Sequence, residues 1–144
     1  MKIFLISLLC LNSLATEFDF KESRYYDALD FTRVSTGTIS YDKNSTTISY
    51  NHPIKQDIII LDSSVTVLKD AKRESIDNKN TLLFLKVFEK IIRDENIDRF
   101  FKKDGNNLLP KQSALKSTIK SIKKDSNTIS IELKNRDRIV FERL

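Results

Sequence analysis

One histidine and one cysteine are all this 144-residue chain offers of the two side chains that most often carry nucleophilic, acid–base or zinc chemistry. His52 stands directly before Pro53, at the expected end of a strand, which is the place of a surface loop histidine. No His-Glu-x-x-His, Gly-x-Ser-x-Gly, glycine-rich phosphate loop or cysteine pair occurs. The adjacent acids Asp94 and Glu95 fall at the expected end of a helix, where a solvated face accounts for them. The residues therefore argue against an enzyme, and no cofactor or metal site is expected. One modification signal stands out. In Asp42-Lys43-Asn44-Ser45-Thr46, Asn44 heads an Asn-x-Thr acceptor with an acid two residues earlier, the extended pattern of bacterial N-glycosylation, at what reads as a hairpin tip.

The first fifteen residues, MKIFLISLLCLNSLA, have the form of a secretory signal peptide: Lys2, an apolar run over residues 3–11, and small Ser13 and Ala15 around Leu14. Cleavage after Ala15 would discard Cys10 and leave residues 16–144 as one cysteine-free domain, folding on its core without disulfides. That remainder carries 24 basic and 20 acidic side chains, a net charge of +4. The excess is concentrated between residues 101 and 124, where seven lysines (102, 103, 111, 116, 120, 123 and 124) meet one acid, Asp104. Such a band is a solvated face or a docking surface for an acidic partner. Nucleic acid is not expected, because the lysines lack interleaved aromatics beyond Phe100 and Phe101 and the chain is marked for export.

The elements that would position any site follow from periodicity. Alternation predicts strands over residues 18–24 and 31–41, the latter placing Phe31, Arg33, Ser35, Gly37, Ile39 and Tyr41 on one face. A two-residue turn at Asn44-Ser45 pairs Ile39 with Tyr50 and Tyr41 with Ile48, so the two Ile-Ser-Tyr triplets form one apolar wall. Residues 25–30 are either a helical turn or a bent connection. Strands over 57–61 and 64–68 follow, joined at Asp62-Ser63, with an edge segment near residues 71–75. Residues 80–95 switch to helical spacing, with Leu82, Phe84, Leu85, Val87, Phe88, Ile91 and Ile92 spread around more than half the circumference and Asn80 or Thr81 as N-cap. Such a helix must bury two faces or offer one to something apolar. A hairpin around Asp104-Gly105, a stretch over 115–124 compatible with helix or strand, and two strands joined at Asn135-Arg136 complete the chain.

This order resembles the periplasmic outer-membrane lipoprotein carriers, the LolA-like family. The resemblance rests on TGTISYDKNSTTISYNHPIKQDIIILDSSVTVL, where Gly37, Tyr50, Pro53, residues 58–61, Asp62 and residues 65–68 take the places of the family's glycine-started strand, aromatic-bearing strand, proline, aliphatic strand, turn and second aliphatic strand. It continues in Leu108-Leu109-Pro110-Lys111 after the hairpin. The chain departs in being shorter, in having no Trp, and in placing Asp42-Lys43-Asn44 where well-known carriers have a strand-end arginine. The resemblance implies an α+β fold: a strongly curved, incompletely closed antiparallel sheet, a half-barrel, with a helical lid on the concave face. It implies a monomeric periplasmic chaperone that takes acylated lipoproteins or other lipid amphiphiles from an inner-membrane releasing transporter to an outer-membrane acceptor. The implied lipid cavity is lined by Ile39, Tyr41, Ile48, Tyr50, Ile58, Ile60, Phe84, Leu85, Phe88 and Ile92. The competing reading is a small envelope protein that docks an acidic partner through its lysine-rich half.

Overall fold

The computed structural model describes residues 15–144; the expected signal peptide, with Cys10, lies outside the described residues apart from Ala15. Eleven strands form one antiparallel sheet in the order β6-β5-β4-β3-β2-β1-β11-β10-β9-β8-β7. The chain starts in the middle with β1 (Thr16–Tyr26) and steps outward through β2 (Phe31–Tyr41), β3 (Thr46–His52), β4 (Gln56–Ile60), β5 (Val65–Lys69) and β6 (Lys72–Ser75). Helices α1 (Lys79–Arg93) and α2 (Ile97–Phe100) carry it to the opposite edge. From there β7 (Phe101–Asp104), β8 (Asn107–Pro110), α3 (Ser113–Lys116), β9 (Ile119–Lys124), β10 (Thr128–Leu133) and β11 (Arg138–Arg143) step back until β11 pairs with β1. Edges β6 and β7 do not pair, so the sheet is not closed into a barrel.

One face of this sheet is apolar and the other polar, as period-two alternation in half-buried strands requires. A cross-strand row runs Phe18, Ile39, Ile48, Ile58, Val67 over five strands. On the opposite face Thr38 donates to Asp19 (2.9 Å) and Thr36 to Asn51 (3.0 Å). The buried core continues through Phe20, Ile60, Val65, Phe101, Ile122 and Phe141.

The hairpin register differs from the expected one. Ile39 pairs with Ile48, Tyr41 with Thr46 and Gly37 with Tyr50. The cause is Asp42, whose Oδ1 accepts the backbone N–H of Asn44 (2.8 Å) and of Ser45 (3.0 Å), fixing Lys43-Asn44 rather than Asn44-Ser45 as the turn. Because the slip is two residues, parity is kept and the isoleucines and tyrosines stay on the same face. The same N–H bonds hold the Asp42 carboxyl below its ordinary range. A carboxyl lowered in the folded state contributes stability above its unfolded pKa and loses it as pH falls through the folded one. Asp42→Ala should therefore lower the urea midpoint at pH 7, with the deficit shrinking toward zero as the pH is taken below the carboxylate range. A deficit that is the same at pH 7 and pH 3 would refute the turn's electrostatic role.

Helix α1 begins two to three residues earlier than expected. Asn78, not Asn80 or Thr81, is the N-cap, its Oδ1 accepting from the N–H of Asn80 and Thr81 at 3.0 Å each. Val87, Phe88 and Ile91 are buried against the sheet, whereas Leu82, Phe84, Leu85 and Ile92 are only half-buried. Of residues 25–30, Tyr25 and Tyr26 end β1 and Asp27–Leu29 form a short 3-10 turn, and the ambiguous 115–124 stretch divides into the end of α3 and then β9.

Candidate functional site

Beneath α1 lies a hollow of about 170 Å³, lined by Phe84, Leu85 and Phe88 of the helix and, among the sheet residues, by Ile48, Tyr50 and Ile58. Glu22, Arg24, Arg33, Gln56 and residues of β10 and β11 complete its wall. The sheet contribution runs from β4 to β10, five strand spacings apart. Of the lining residues, Phe88 packs edge-on to Phe141 at 4.8 Å, and Phe141 in turn stacks on the buried Phe20 at 4.6 Å.

Ile39 and Ile92 line a smaller hollow of about 80 Å³ at the other end of α1, together with Phe18 and residues 124–129. Tyr41 and Ile60 line neither. Ile60 is part of the packed core, and Tyr41 lies under the Arg93 guanidinium at 4.9 Å. Ile39, Ile48 and Ile60 are each at most 1% exposed, so their aliphatic surface is largely committed to the protein itself.

Sequence reasoning did not single out the polar wall. Glu22 is 2% exposed; its Oε2 accepts from the Tyr50 hydroxyl at 2.6 Å, and its Oε1 is 3.6 Å from Arg24 Nη2. Burial, reinforced by the Glu22 charge, pushes the Tyr50 phenol far above its ordinary range, so it stays a donor. Arg24 stands directly opposite Arg33 in the β1–β2 ladder. The signal available beforehand was parity: Glu22 and Arg24 continue the inward series of Phe18 and Phe20, as Arg33 continues that of Ile39 and Gly37. Arg33, Tyr50 and Gln56 also face a second hollow of about 210 Å³, completed by Ser35, Pro53, Ile54 and Lys69. Its wall contains two cations and no acid.

Three side chains tie α1 to its surroundings. Arg93 donates to Thr46 Oγ1 (2.9 Å) and to the Ser45 carbonyl (2.7 Å). Lys86 donates to the Asp62 carbonyl (2.7 Å), and Lys124 of β9 pairs with Asp94 (3.1 Å). The lysine band is therefore partly spent within the molecule: besides Lys124, Lys111 donates to the Asp98 carbonyl and Lys120 pairs with Glu132 at 3.3 Å. Asn44 is exposed at the turn, whereas Thr46, the hydroxyl residue of its acceptor triplet, is 0% exposed and held by Arg93. His52 is exposed at the end of β3. Among the described residues no group of three or more His, Cys, Asp or Glu side chains is placed to hold a metal ion.

Fold and hollow together define an α+β protein built on one open antiparallel sheet, with an amphipathic helix packed over an apolar pocket that has a polar end. Neither a family model nor a curated protein matches the chain.

Proposed function

We propose that the protein is an exported carrier that shelters acyl chains between α1 and the sheet, in the manner of the LolA-like carriers, with α1 as its lid. The observation that supports this most directly is the hollow bounded by six adjacent strands and by Phe84, Leu85 and Phe88. Its volume of about 170 Å³ is close to that of an apolar cavity of ~150 Å³ that takes one benzene, so the closed form has room for about six chain carbons. At ~0.8 kcal/mol per buried methylene, six of them contribute ~5 kcal/mol gross. A lipoprotein anchor needs more room, since ligand pockets commonly span ~300–1,000 Å³; loading therefore requires α1 to move away from the sheet. Transfer from an inner-membrane donor to an outer-membrane acceptor follows if the acceptor binds the chain more tightly than the closed carrier does. The half-buried side of α1 is what such a lid presents to its cargo.

Mass spectrometry of protein taken from its native envelope is expected to detect a bound acyl-bearing molecule. Ile58→Trp provides the matched variant: the indole occupies the hollow from β4, and uptake of acylated lipoprotein from membrane vesicles should fall by about tenfold or more while the circular dichroism spectrum is retained. Uptake unchanged in Ile58→Trp, together with protein that never carries a lipid, would rule the carrier out.

A further inference from the structure

The carrier reading leaves the chemistry of the cargo's polar end open, and the wall of the hollow bears on it. Arg24 and Arg33 are direct cross-strand neighbours on the inner face. Like charges directly opposite one another destabilise a sheet, and an anion held between them would relieve that repulsion. Glu22 is the single acid lining the inner hollow, and both of its oxygens are engaged. One accepts from Tyr50 at 2.6 Å; the other forms an ion pair with Arg24 Nη2 at 3.6 Å, longer than a hydrogen bond. Arg24 Nε is buried and donates to no protein acceptor, although such donors are nearly always satisfied. Among the described residues Arg33 makes no ion pair within 4 Å. Beyond Arg33 the adjoining hollow adds Lys69 and no acid. Going outward, the path is apolar at Phe84, Phe88 and Ile58, then polar at Tyr50 and Glu22, then cationic.

We propose that the two hollows form one site for an amphiphile with an anionic head, a carboxylate or a phosphate, whose aliphatic tail lies beneath α1 and whose head sits between Arg24, Arg33 and Lys69. Glu22 keeps Arg24 aligned from below while the Tyr50 hydroxyl prevents that carboxylate from swinging up to neutralise the head site. Arg24 Nε, orphaned by the protein, is the donor the head would satisfy; guanidinium groups suit both carboxylate and phosphate oxygens. This inference rests on the carrier reading for the tail but makes a separate claim about the head.

The test is calorimetric titration of the purified protein with decanoate, decyl phosphate and decanol, which share a chain and differ at the head. Both anions are expected to bind about tenfold more tightly than decanol. A stronger response to decanoate would identify a free fatty acid as the natural source of the head, and a stronger response to decyl phosphate a lysophospholipid. In Arg33→Gln/Lys69→Gln, two exposed positions whose loss leaves the core intact, the anion-to-alcohol affinity ratio should fall toward one, with thermal unfolding confirming the fold. Equal binding of all three in the wild type would overturn the head site and leave the carrier standing. Binding of none would overturn both.

Discussion

Arg93→Met is expected to lower stability by about 3 kcal/mol, a value at the lower end for breaking a buried ion pair by removing one partner. The side chain is 7% exposed and sits where the last turn of α1 meets the β2–β3 turn. Its guanidinium donates to Thr46 Oγ1 and the Ser45 carbonyl, lies 3.5 Å from Glu89 and 3.8 Å from Glu95, and covers the Tyr41 ring. Methionine keeps the apolar stem and removes only the charge and donors, so the loss reports the clasp rather than packing. For a domain of this size the thermal midpoint should fall by about 10 °C.

The pH dependence of that loss separates a clasp from a generic defect. Burial raises the Glu89 carboxyl above its ordinary range, and Arg93 is the main influence opposing the rise. Without Arg93 it rises further. A carboxyl raised in the folded state favours folding only while protonated; that contribution is present at low pH and is lost as pH increases through the folded pKa. The Arg93→Met deficit should therefore be largest at neutral pH and shrink as the carboxylates protonate, and adding Glu89→Gln should recover part of it at pH 7. A deficit below 1 kcal/mol, or one indifferent to pH, would remove Arg93 as the clasp. On the carrier reading a loss of about 3 kcal/mol at this contact shifts lid opening roughly 100-fold, to be read as faster exchange of bound decanoate.

The strands and the long helix were legible because their cause is local. Alternation marks β2, β10 and β11, and helical spacing marks α1, since each must turn apolar side chains to one core. The wall of Ile39, Tyr41, Ile48 and Tyr50 survived an error of two residues in register because only an odd slip changes faces. The turn that caused the error was decided by one carboxylate, Asp42, whose bonds to two backbone N–H groups outweigh the preference for Asn-Ser at the tip. The pairing of β1 with β11 joins the two ends of the described chain, and nothing local to either strand announces it. Glu22 and Arg24 were passed over for a different reason, whereas Arg33 was set on the face of Ile39 and Tyr41 without being assigned to the cavity. A charged residue in a strand ordinarily reads as solvent-facing, and only strict parity from Phe18 and Phe20 places Glu22 and Arg24 on the inner face. Arg93 escaped because a basic residue in the last helical turn is sufficiently explained by the helix dipole, so its reach to the β2–β3 turn leaves no trace in the sequence.

Gly37→Val should be the most damaging single change in the sheet. At this position the register slips: Thr36 faces His52 while Gly37 faces Tyr50, leaving Asn51 as an extra residue on β3. The bulge drives the β3 backbone toward β2, and a Cβ on residue 37 would collide with the Ser49 carbonyl oxygen while also standing 3.0 Å from Phe20 Cε1. A side chain in the way can rotate aside, but a carbonyl within a ladder cannot move without breaking its own bonds. Overpacking usually costs ~1–3 kcal/mol and more where the backbone must yield, so a loss of about 3 kcal/mol or greater is expected, with Gly37→Ala close behind because the first carbon already makes the clash. The damage should also be directional. Forcing β2 and β3 apart displaces Tyr50, which lies opposite Gly37, from its 2.6 Å bond to Glu22 and frees the buried carboxylate to turn toward the arginines. Any Gly37→Ala protein that folds should therefore show weakened preference for decanoate over decanol in the titration above. An alanine variant with wild-type thermal midpoint would mean that the two strands do not approach as closely as the bulge requires.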